Sequence, residues 1–407
     1  MLPNSYIWLN NNHLGQLHFS IYTSVLALPD TWNGIAAGNI FLSTDYLKVL
    51  EVSAPENMTC YFIGVFDNDR LVGIAIVQFL DLSDVGSFGE RDSCLKRKVR
   101  DFVFRRFTAH ILIIGNNMLT GQNTFQFASG VDRRAALSAI DNAATAIKEI
   151  QLKRGIKTHL TIWKDFPEGY SADFDFALFD SYYKFSTQPN MVFDIRAHWH
   201  TEADYVNDLT KKYRDQYKRA RKKNEGIAKY KLSLEEIKAN NEKICELYQN
   251  VARNAPFNTF WLCSNHFIAL KEYLGEQFLF YGYFLDSELI GFDTLIKNGD
   301  SMDTYFLGYD ENCQRDKMLY LNMLYNMIGY SIKKQFKKVI FARTALEIKS
   351  AVGAKPVYLF GYIKHSNVLL NKLMPKLFKY FEPDIAWHQR HPFKEAELPV
   401  SSGGALS

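Results

Sequence analysis

A weak internal repeat restricts the fold of this chain more than any other feature of its sequence. Residues 64–73 read GVFDNDRLVG and residues 282–291 read GYFLDSELIG. Identical residues recur at a constant offset of 218 in four places: Gly64/Gly282, Phe66/Phe284, Leu71/Leu289 and Gly73/Gly291. Apolar, β-branched and aromatic residues flank both segments, so each segment predicts a β-hairpin. Two copies of one sheet-forming unit are the simplest interpretation.

The pattern after each hairpin is repeated as well. In both halves a further strand is followed by a long amphipathic helix and another strand. The first half predicts a hairpin of 61–66 and 70–80, then a strand at 110–115, a helix at 133–153 and a strand at 157–163. The second half predicts a hairpin of 278–285 and 289–297, then a strand at 303–307, a helix at 317–335 and a strand at 338–341. This order predicts an α+β (α/β) fold class with two mixed sheets flanked by helices.

The length of 407 residues exceeds what one hydrophobic core usually organises, so we expect two domains. We place the N-terminal domain at residues 1–188, with a basic insertion at 81–109, and the C-terminal domain at 189–394. Residues 395–407 contain SSGG and predict a disordered tail.

The composition limits the classes of partner and compartment. Apolar residues make up 47% and charged residues 23% of the chain, which is typical of a globular protein. A net charge of +4 is too small to make the whole surface a polyanion binder, so any basic partner site must be local. Five cysteines without C-x-x-C spacing argue against a disulfide framework and a structural zinc site. Since no signal sequence or membrane span is recognised, we expect a cytoplasmic protein, peripheral at most to the inner face of the membrane.

The succession of hairpin, central strand, helix and fifth strand resembles the GNAT acyltransferase superfamily, here duplicated in tandem. Tandem GNAT-like halves are similar to the Fem-type peptidoglycan aminoacyltransferases and to a broader bacterial group of FemAB-like acyltransferases. Three stretches carry the closer resemblance: LTKKYRDQYKRARKKNEG at 209–226, Phe257-Asn258-Thr259, and RTALEIKSAVGAKP at 343–356. The resemblance implies two tandem GNAT-like mixed-sheet domains, and it implies that Phe257, Asn258 and Thr259 lie at an acceptor groove.

One signature of the superfamily is absent from both halves. It is the Q/R-x-x-G-x-G/A loop, whose backbone N–H groups hold the coenzyme A pyrophosphate at a helix N-terminus. The second half has residues 310–317 at this place, and the first half has 115–122. We predict that Gln314, Arg315 and Lys317 contact the acyl carrier. Coenzyme A, acyl carrier protein and aminoacyl-tRNA stay open as carriers.

Two basic segments suggest anionic partners. Residues 211–223 contain eight basic residues and one acid, above an apolar stripe at helical spacing: Tyr205, Leu209, Tyr213, Tyr217 and Ala220. On its outward face Lys218, Arg219 and Lys222 are predicted to bind phosphates of coenzyme A, lipid or tRNA. Residues 95–106 contain six basic residues and one acid and suit an anionic membrane surface. The alternative for both segments is a helix with a solvated face.

Asp303 and Tyr305 are candidates for acid–base catalysis. Both belong to the predicted central strand of the second half, and the two-residue period of a strand places them on one face. Amine attack on a thioester requires a base for the amine proton, and a tyrosine can protonate the departing thiolate. The alternative is that both are ordinary solvent-facing residues at a strand end.

The segment after the predicted fifth strand offers further candidates. We predict catalysis by Glu347 and substrate contact by Arg343 and Lys349. A structural role is the alternative for part of this segment, because Thr344 and Glu347 match a T-x-x-E capping box and Gly353 matches a C-terminal cap. Arg343 and Glu347 also have the i, i+4 spacing of a helix ion pair.

Other chemistries find little support in the sequence. We expect no metal, because two histidine pairs lack Cys, Asp or Glu ligands at metal spacing: His198/His200 and His388/His391. The G-x-S-x-G elbow, the Walker A loop and the Rossmann motif are absent, which argues against the hydrolases, NTPases and dinucleotide-binding enzymes that depend on them.

We therefore predict an N-acyltransferase whose second half is catalytic. The donor is an acyl thioester, either acyl-CoA or acyl-carrier protein, and the acceptor is the amine of a small molecule or an amino lipid. Two alternatives stay open. One is a Fem-type transferase that moves an aminoacyl group from tRNA to a cell-wall precursor, and the other is an inactive module that binds a membrane surface.

Overall fold

The computed structural model describes residues 17–83, 108–186, 188–254, 258–381 and 387–394. Two mixed β-sheets with helices packed on their faces confirm the predicted α+β class. The predicted basic helix at 95–106, Phe257 and the predicted tail at 395–407 lie outside the described residues.

The first sheet combines strands from the first half of the chain with one strand from near its C-terminus. These strands are β1 (His18–Tyr22), β2 (Met58–Asp67), β3 (Arg70–Asp81), β4 (His110–Ile114), β5 (Phe125–Phe127), β6 (Leu160–Pro167), β7 (Tyr183–Ser186) and β15 (Leu359–His365). They lie in the order β1-β2-β3-β4-β6-β15-β7, and β5 pairs with β3.

The second sheet repeats this topology. Its strands are β8 (Asn190–Asp194), β9 (Ala228–Lys231), β10 (Phe278–Leu285), β11 (Glu288–Asn298), β12 (Ser301–Tyr309), β13 (Lys338–Ala342) and β14 (Lys355–Val357). They lie in the order β9-β10-β11-β12-β13-β8-β14. In both sheets the fourth and fifth strands of this order are parallel and the other neighbours are antiparallel. This duplicated topology agrees with the predicted tandem arrangement.

The chain passes between the sheets in an equivalent way in both halves. Strands β7 and β8 are consecutive in the chain but lie in different sheets, and the same is true of β14 and β15. Strand β15 therefore returns from near the C-terminus to complete the first sheet. The domain limits of 1–188 and 189–394 stay a prediction.

The repeated sequence segments form equivalent hairpins, β2–β3 and β10–β11. Both hairpins shift register directly before the repeated phenylalanine, Phe66 or Phe284. A Cβ atom at Gly64 would lie 2.8 Å from the Phe66 ring, and one at Gly282 would lie 2.8 Å from the Phe284 ring. The repeat thus encodes a close packing unit, in which an aromatic ring covers a glycine.

The helices form three layers around the sheets. They are α1 (Trp32–Ala36), α2 (Thr44–Ser53), α3 (Arg133–Lys153), α4 (Glu202–Asp208), α5 (Lys211–Lys223), α6 (Leu234–Ala239), α7 (Asn241–Arg253), α8 (His266–Leu274), α9 (Glu311–Lys317), α10 (Leu319–Lys333), α11 (Leu346–Ala351) and α12 (Val368–Phe381). Helix α3 packs on the outer face of the first sheet, and α4, α5 and α10 pack on the outer face of the second. Between the sheets, α1, α2, α6, α7 and α8 share one apolar core to which both halves contribute.

Two helices differ from their predicted form. The helix predicted at 317–335 begins only at Leu319, because residues 311–317 form the separate helix α9 and Met318 between them is left-handed, with φ of 51°. The apolar stripe predicted for one basic helix is shared by two, since α4 ends at Asp208 and α5 begins at Lys211.

Candidate active site

A cavity of about 610 Å³ opens between β12 and β13 of the second sheet. The parallel pairing of these strands covers Ser301–Asp303 and Lys338–Ile340, and the strands separate beyond it. On its other edge β12 shifts register, so that Tyr305 and Phe306 lie opposite Thr294 as a bulge. Because a bulge bends a strand and re-aims its side chains, this part of β12 can face a ligand instead of a neighbouring strand.

The cavity collects residues from several elements and from both halves. Six predicted site residues line it: Asn258, Asp303, Tyr305, Gln314, Arg343 and Lys349. Much of the remaining wall is apolar and aromatic, with Tyr248 of α7 and Leu324 of α10 among its members. Met118, Leu119 and Thr120 of the first half close one side. The site therefore lies at the junction of the two halves.

Asp303 is placed for proton transfer in this cavity. Its Oδ2 atom is buried and has no hydrogen-bond partner within the described ranges. Burial raises the pKa of Asp303 to about 7, and a hydrogen bond with Asn298 opposes this rise. A carboxyl group with a pKa near neutrality can lose its proton at physiological pH and then accept one from an amine.

Tyr305 belongs to a buried chain of hydrogen bonds that crosses between the halves. Its hydroxyl lies 3.1 Å from Nε2 of His266 on α8 and is hydrogen-bonded to Tyr46 of α2. The Tyr46 hydroxyl accepts a hydrogen bond of 3.1 Å from Asn116. At the other end, His266 Nδ1 lies 3.0 Å from Oγ and 3.1 Å from the carbonyl oxygen of Ser53. The sequence analysis missed Tyr46, Asn116 and His266.

The direction of this chain follows from counting protons. The Ser53 hydroxyl donates to the carbonyl of Val49 at 2.7 Å, so both oxygens of Ser53 can only accept from His266 Nδ1. Burial lowers the pKa of His266 to about 4, which leaves one ring proton at neutral pH. This proton is on Nδ1, and Nε2 therefore accepts from Tyr305. The Tyr305 oxygen in turn accepts from Tyr46.

Lys349 supports the loop that follows β13. Its Nζ donates to the carbonyls of Phe341 and Arg343 at 2.6 Å each, and burial lowers the pKa of Lys349 to about 7. The supported loop contains three left-handed residues: Ala342 (φ 57°), Thr344 (φ 67°) and Ala345 (φ 47°). Left-handed conformations are costly for residues other than glycine and cluster at functional sites. Lys349 thus stabilises a strained wall of the cavity.

The predicted capping box of Thr344 and Glu347 is wrong. Helix α11 is preceded by the left-handed Ala345, and no side chain caps its N-terminus. Glu347 instead accepts a hydrogen bond from the backbone of His388 at 3.3 Å and pairs with Arg390 at 3.0 Å. These two interactions lower the pKa of Glu347. Glu347 is not part of the cavity lining, and its predicted catalytic role stays a prediction.

Arg343 pairs across the junction instead of with Glu347, which corrects the predicted i, i+4 ion pair. Its guanidinium Nη2 contacts the carboxylate of Asp165 at the end of β6, and its Nε donates to the carbonyl of Gln188 at 3.2 Å. The ammonium group of Lys164 contacts the same carboxylate. Asp165 was missed by the sequence analysis, although it comes just after the strand predicted at 157–163, as Arg343 comes just after the strand predicted at 338–341.

The segment at 310–317, predicted to hold the carrier, is the helix α9. Oδ1 of Asp310 accepts hydrogen bonds from the backbone N–H groups of Asn312 at 2.9 Å and Cys313 at 3.0 Å. A carboxylate thus occupies amides that a pyrophosphate would otherwise use. The carrier contacts of Gln314, Arg315 and Lys317 stay predictions: Gln314 lines the cavity, and Arg315 is exposed.

The basic helix α5 adjoins this region. Lys317 of α9 donates to the carbonyl of Glu225, just after α5, at 3.2 Å. Lys218, Arg219 and Lys222 are exposed on α5, as predicted for an outward basic face. Arg221 points inward and pairs with Glu202. The basic surface therefore lies next to the helix that carries Gln314 to the cavity.

The tract after α7 is held by the first half. Asn258 lines the cavity. The hydroxyl of Thr259 accepts a hydrogen bond from Asn117 at 2.8 Å, and its carbonyl accepts one from Asn57 at 2.9 Å. An acceptor role of this tract stays a prediction.

In the part of the chain that the structure describes, no helix is long and apolar enough to cross a membrane. Within the same ranges, no group of three or more His, Cys, Asp or Glu side chains could hold a metal ion.

Comparison with known proteins finds a likeness of fold. No protein-family model matches the sequence, and no curated protein matches it. FemX is similar with a TM-score of 0.49 at 12% identity, over 88% of this chain and 99% of that chain. A tandem GNAT protein from the clavulanic acid biosynthesis pathway has a TM-score of 0.49 at 12% identity, over 86% and 99%. L-PGS from Bacillus licheniformis has a TM-score of 0.44 at 11% identity, over 88% and 98%.

Proposed function

We propose that this chain is an acyltransferase whose reaction takes place in the cavity between β12 and β13. The observation that carries the proposal is the buried Oδ2 of Asp303, which has no hydrogen-bond partner among the described residues and lies where these two strands separate. A cavity that contains a buried carboxyl group of pKa about 7 suits the deprotonation of an amine. The apolar and aromatic lining suits an acyl chain.

In the proposed reaction an amine attacks the carbonyl carbon of an acyl thioester. The C–N bond forms and the C–S bond breaks, Asp303 takes the amine proton, and Tyr305 gives its proton to the departing sulfur. The proton that Asp303 takes can return to Tyr305, which lines the same cavity, so both groups are restored for the next turnover. Backbone N–H groups of β12 beyond Asp303, where β13 has separated, can stabilise the oxyanion.

The proposed donor is acyl-CoA or acyl-carrier protein, and the proposed acceptor is a small-molecule or lipid amine. The donor would enter beside Gln314, where α9 connects the cavity to the basic surface of α5. Lys218, Arg219 and Lys222 would then attract the phosphates of the carrier.

An aminoacyl-tRNA donor is a second candidate, and one observation favours it. Asp310 occupies the amides at the start of α9, where a coenzyme A pyrophosphate would need them. A tRNA needs no such loop and would use the exposed basic residues of α5, which do not include the inward-facing Arg221.

Calorimetry with the full-length protein tests these donors. The panel contains acetyl-, palmitoyl- and free coenzyme A, charged tRNA and anionic vesicles, each at two salt concentrations. Saturable binding of an acyl-coenzyme A, followed by acyl transfer to an amine that is lost in Asp303→Asn, is the expected result. Binding of charged tRNA alone would favour the second candidate. Binding of vesicles alone would contradict both and leave a membrane-surface module.

A further inference from the structure

A cluster of buried charges lies where the two halves meet. Lys164 and Arg343 both contact the carboxylate of Asp165. The exposed fractions of the three side chains are 12% for Lys164, 22% for Arg343 and 2% for Asp165. Two basic side chains thus share one carboxylate, and the formal charge of the cluster is one positive when Lys164 is protonated. Burial lowers the pKa of Lys164, and a bound anion would favour its charged form. Because an uncompensated charge is costly away from water, such a cluster favours an anionic ligand.

The backbone is bent to bring these charges together. Strand β6 shifts register against β15 at this point, and Asp165 is left-handed with φ of 68°. On the facing strand a Cβ at Gly361 would lie 2.6 Å from the carbonyl oxygen of Trp163, so the bend depends on that glycine. Strand β13 also shifts register just before Arg343, at the left-handed Ala342. Strain of this kind persists where the surrounding structure fixes it, often at ligand sites.

The cluster borders the cavity on the side away from the basic helix. Arg343 lines the cavity, and so does Leu119, whose carbonyl accepts a hydrogen bond of 2.7 Å from Lys164. This side belongs to β13 and the first half. The basic helix α5 lies on the other side of the cavity, next to α9, which follows β12 and carries Gln314 to the cavity. An anion at the cluster is therefore separate from the phosphates proposed for the donor.

We propose that the acceptor amine carries a carboxylate or phosphate group, and that this group binds at the Lys164–Asp165–Arg343 cluster while the amine reaches Asp303. This inference rests on the proposed acyl transfer. It narrows the acceptor from amines in general to amino acids and amino phosphates. Asp165 is a positioning residue here, because it holds the two cations in place.

Matched acceptors test the inference. We would compare an ω-amino acid, an ω-aminoalkyl phosphate and an alkylamine of the same length, by acyl transfer and by calorimetry without donor. We expect kcat/KM for the anionic acceptors to exceed that for the alkylamine by about 10–100-fold, through KM. In Arg343→Gln this ratio should fall towards one. The control Arg70→Gln, on the exposed turn of the first hairpin, should keep the ratio of the unaltered protein.

Each outcome decides between the two proposals. Equal transfer to anionic and neutral amines, or an equal loss for all of them in Arg343→Gln, overturns the anion subsite and leaves acyl transfer intact. Binding of anionic amines that Arg343→Gln abolishes, without transfer from any donor, supports the subsite and overturns the transferase proposal. Weaker donor binding in Arg343→Gln with an unchanged acceptor ratio assigns the cluster to the donor and overturns the inference. If Arg343→Gln does not fold, Lys164→Gln removes the other cation and keeps the Asp165–Arg343 pair, and the same acceptor ratio is read.

Discussion

The two halves share one strand order but differ where their fourth and fifth strands meet. In the first half β4 and β6 pair from Ile111 to Ile114, whereas in the second half the pairing of β12 with β13 ends at Asp303. In the first sheet Gln78 pairs with Ile113, and in the second sheet Ile296 pairs with Asp303. Ile296 lies 218 residues after Gln78, which is the offset of the repeat. Asp303 therefore occupies the position of Ile113. One copy of the scaffold has a cavity and a carboxylate at this place, and the other has a closed, apolar strand pair.

The closed half still contributes to the cavity of the open half. Its chain after β4 supplies Leu119 and Thr120 to the cavity wall, and it supplies Asn116 to the hydrogen bonds that reach Tyr305 through Tyr46. The same comparison makes Asp165 the counterpart of Arg343. Ile113 pairs with Ile162 and Asp303 pairs with Ile340, so Ile162 and Ile340 occupy equivalent positions. Asp165 lies three residues after Ile162, and Arg343 lies three residues after Ile340. A contact between equivalent residues places both halves around the cluster that we propose as the anion subsite.

Replacing Asp303 by Asn is the sharpest way to break this comparison. We expect kcat/KM of acyl transfer to fall by about 10²–10⁴-fold, because the base is lost. In the unaltered protein kcat/KM should rise with pH through about 7 as Asp303 loses its proton, and the variant should lack this rise. Asp300→Asn, at the exposed turn before β12, is the control. A full rate with the same pH profile in Asp303→Asn would show that the carboxylate is not the base.

Asp303→Asn should lower activity but raise the stability of the folded protein at high pH. Burial raises the pKa of Asp303 from 3.8 to about 7 in the folded state. The protonated side chain therefore contributes its full share to the free energy of unfolding below about pH 4, and this contribution is lost as the pH rises through 7. Asp303→Asn should therefore be more stable than the unaltered protein at pH 8, by up to about 4 kcal/mol. The difference should vanish near pH 4. Urea unfolding at the two pH values measures it, and equal stability at pH 8 would contradict the buried position of the carboxylate.

The outer helix layers differ between the halves in polarity. Helix α3 of the first half buries alanines and isoleucines, whereas α5 of the second half buries Arg221 against Glu202, Asn322 and Asn326. Removing Arg221 leaves Glu202 without its cationic partner and takes the Arg221 donor from the side-chain oxygens of Asn322 and Asn326. We expect Arg221→Ala to lower the free energy of unfolding by about 2–4 kcal/mol. The exposed neighbour substitution Arg219→Ala should change it by less than about 0.5 kcal/mol. Similar losses for both would mean that α5 does not have the inward and outward faces described.

The sequence predicted what depends on local patterns. The hairpins, the helix at 133–153 and the face shared by Asp303 and Tyr305 follow from periodicity and from the repeat. The sequence could not predict that β15 completes the first sheet. This strand follows the second half in sequence but pairs with strands about 200 residues earlier. The Tyr46–Tyr305–His266 chain was missed because its members come from three separate elements, and single aromatic residues look like ordinary core residues in sequence.

Substitutions in the basic surface of α5 test whether the acyl donor binds to the second half. In Lys218→Ala, Arg219→Ala and Lys222→Ala combined, we expect donor affinity to fall by about 10-fold and its dependence on salt to weaken, because ionic contacts to phosphate are lost. Folding should be unaffected, since all three side chains are exposed. The matched control removes three exposed cations beside the first sheet, Lys153 of α3 and Lys372 and Lys376 of α12. If the control weakens donor binding equally, the effect is one of net charge and α5 is only a solvated face.

The repeated glycines test what the halves still share. Gly64→Ala and Gly282→Ala each place a Cβ 2.8 Å from a phenylalanine ring and 3.1 Å from a leucine methyl group. Each ring must shift, so we expect both variants to lose about 1–2 kcal/mol in urea unfolding, with values that agree within about 0.5 kcal/mol. Gly34→Ala in α1, where a Cβ would meet nothing within 4 Å, should be neutral or stabilising. A loss confined to one of the two repeats would mean that the hairpins have diverged in packing. Equal losses would show that the two hairpins share the same packing around the glycine, in contrast to the strand pair that opens at Asp303.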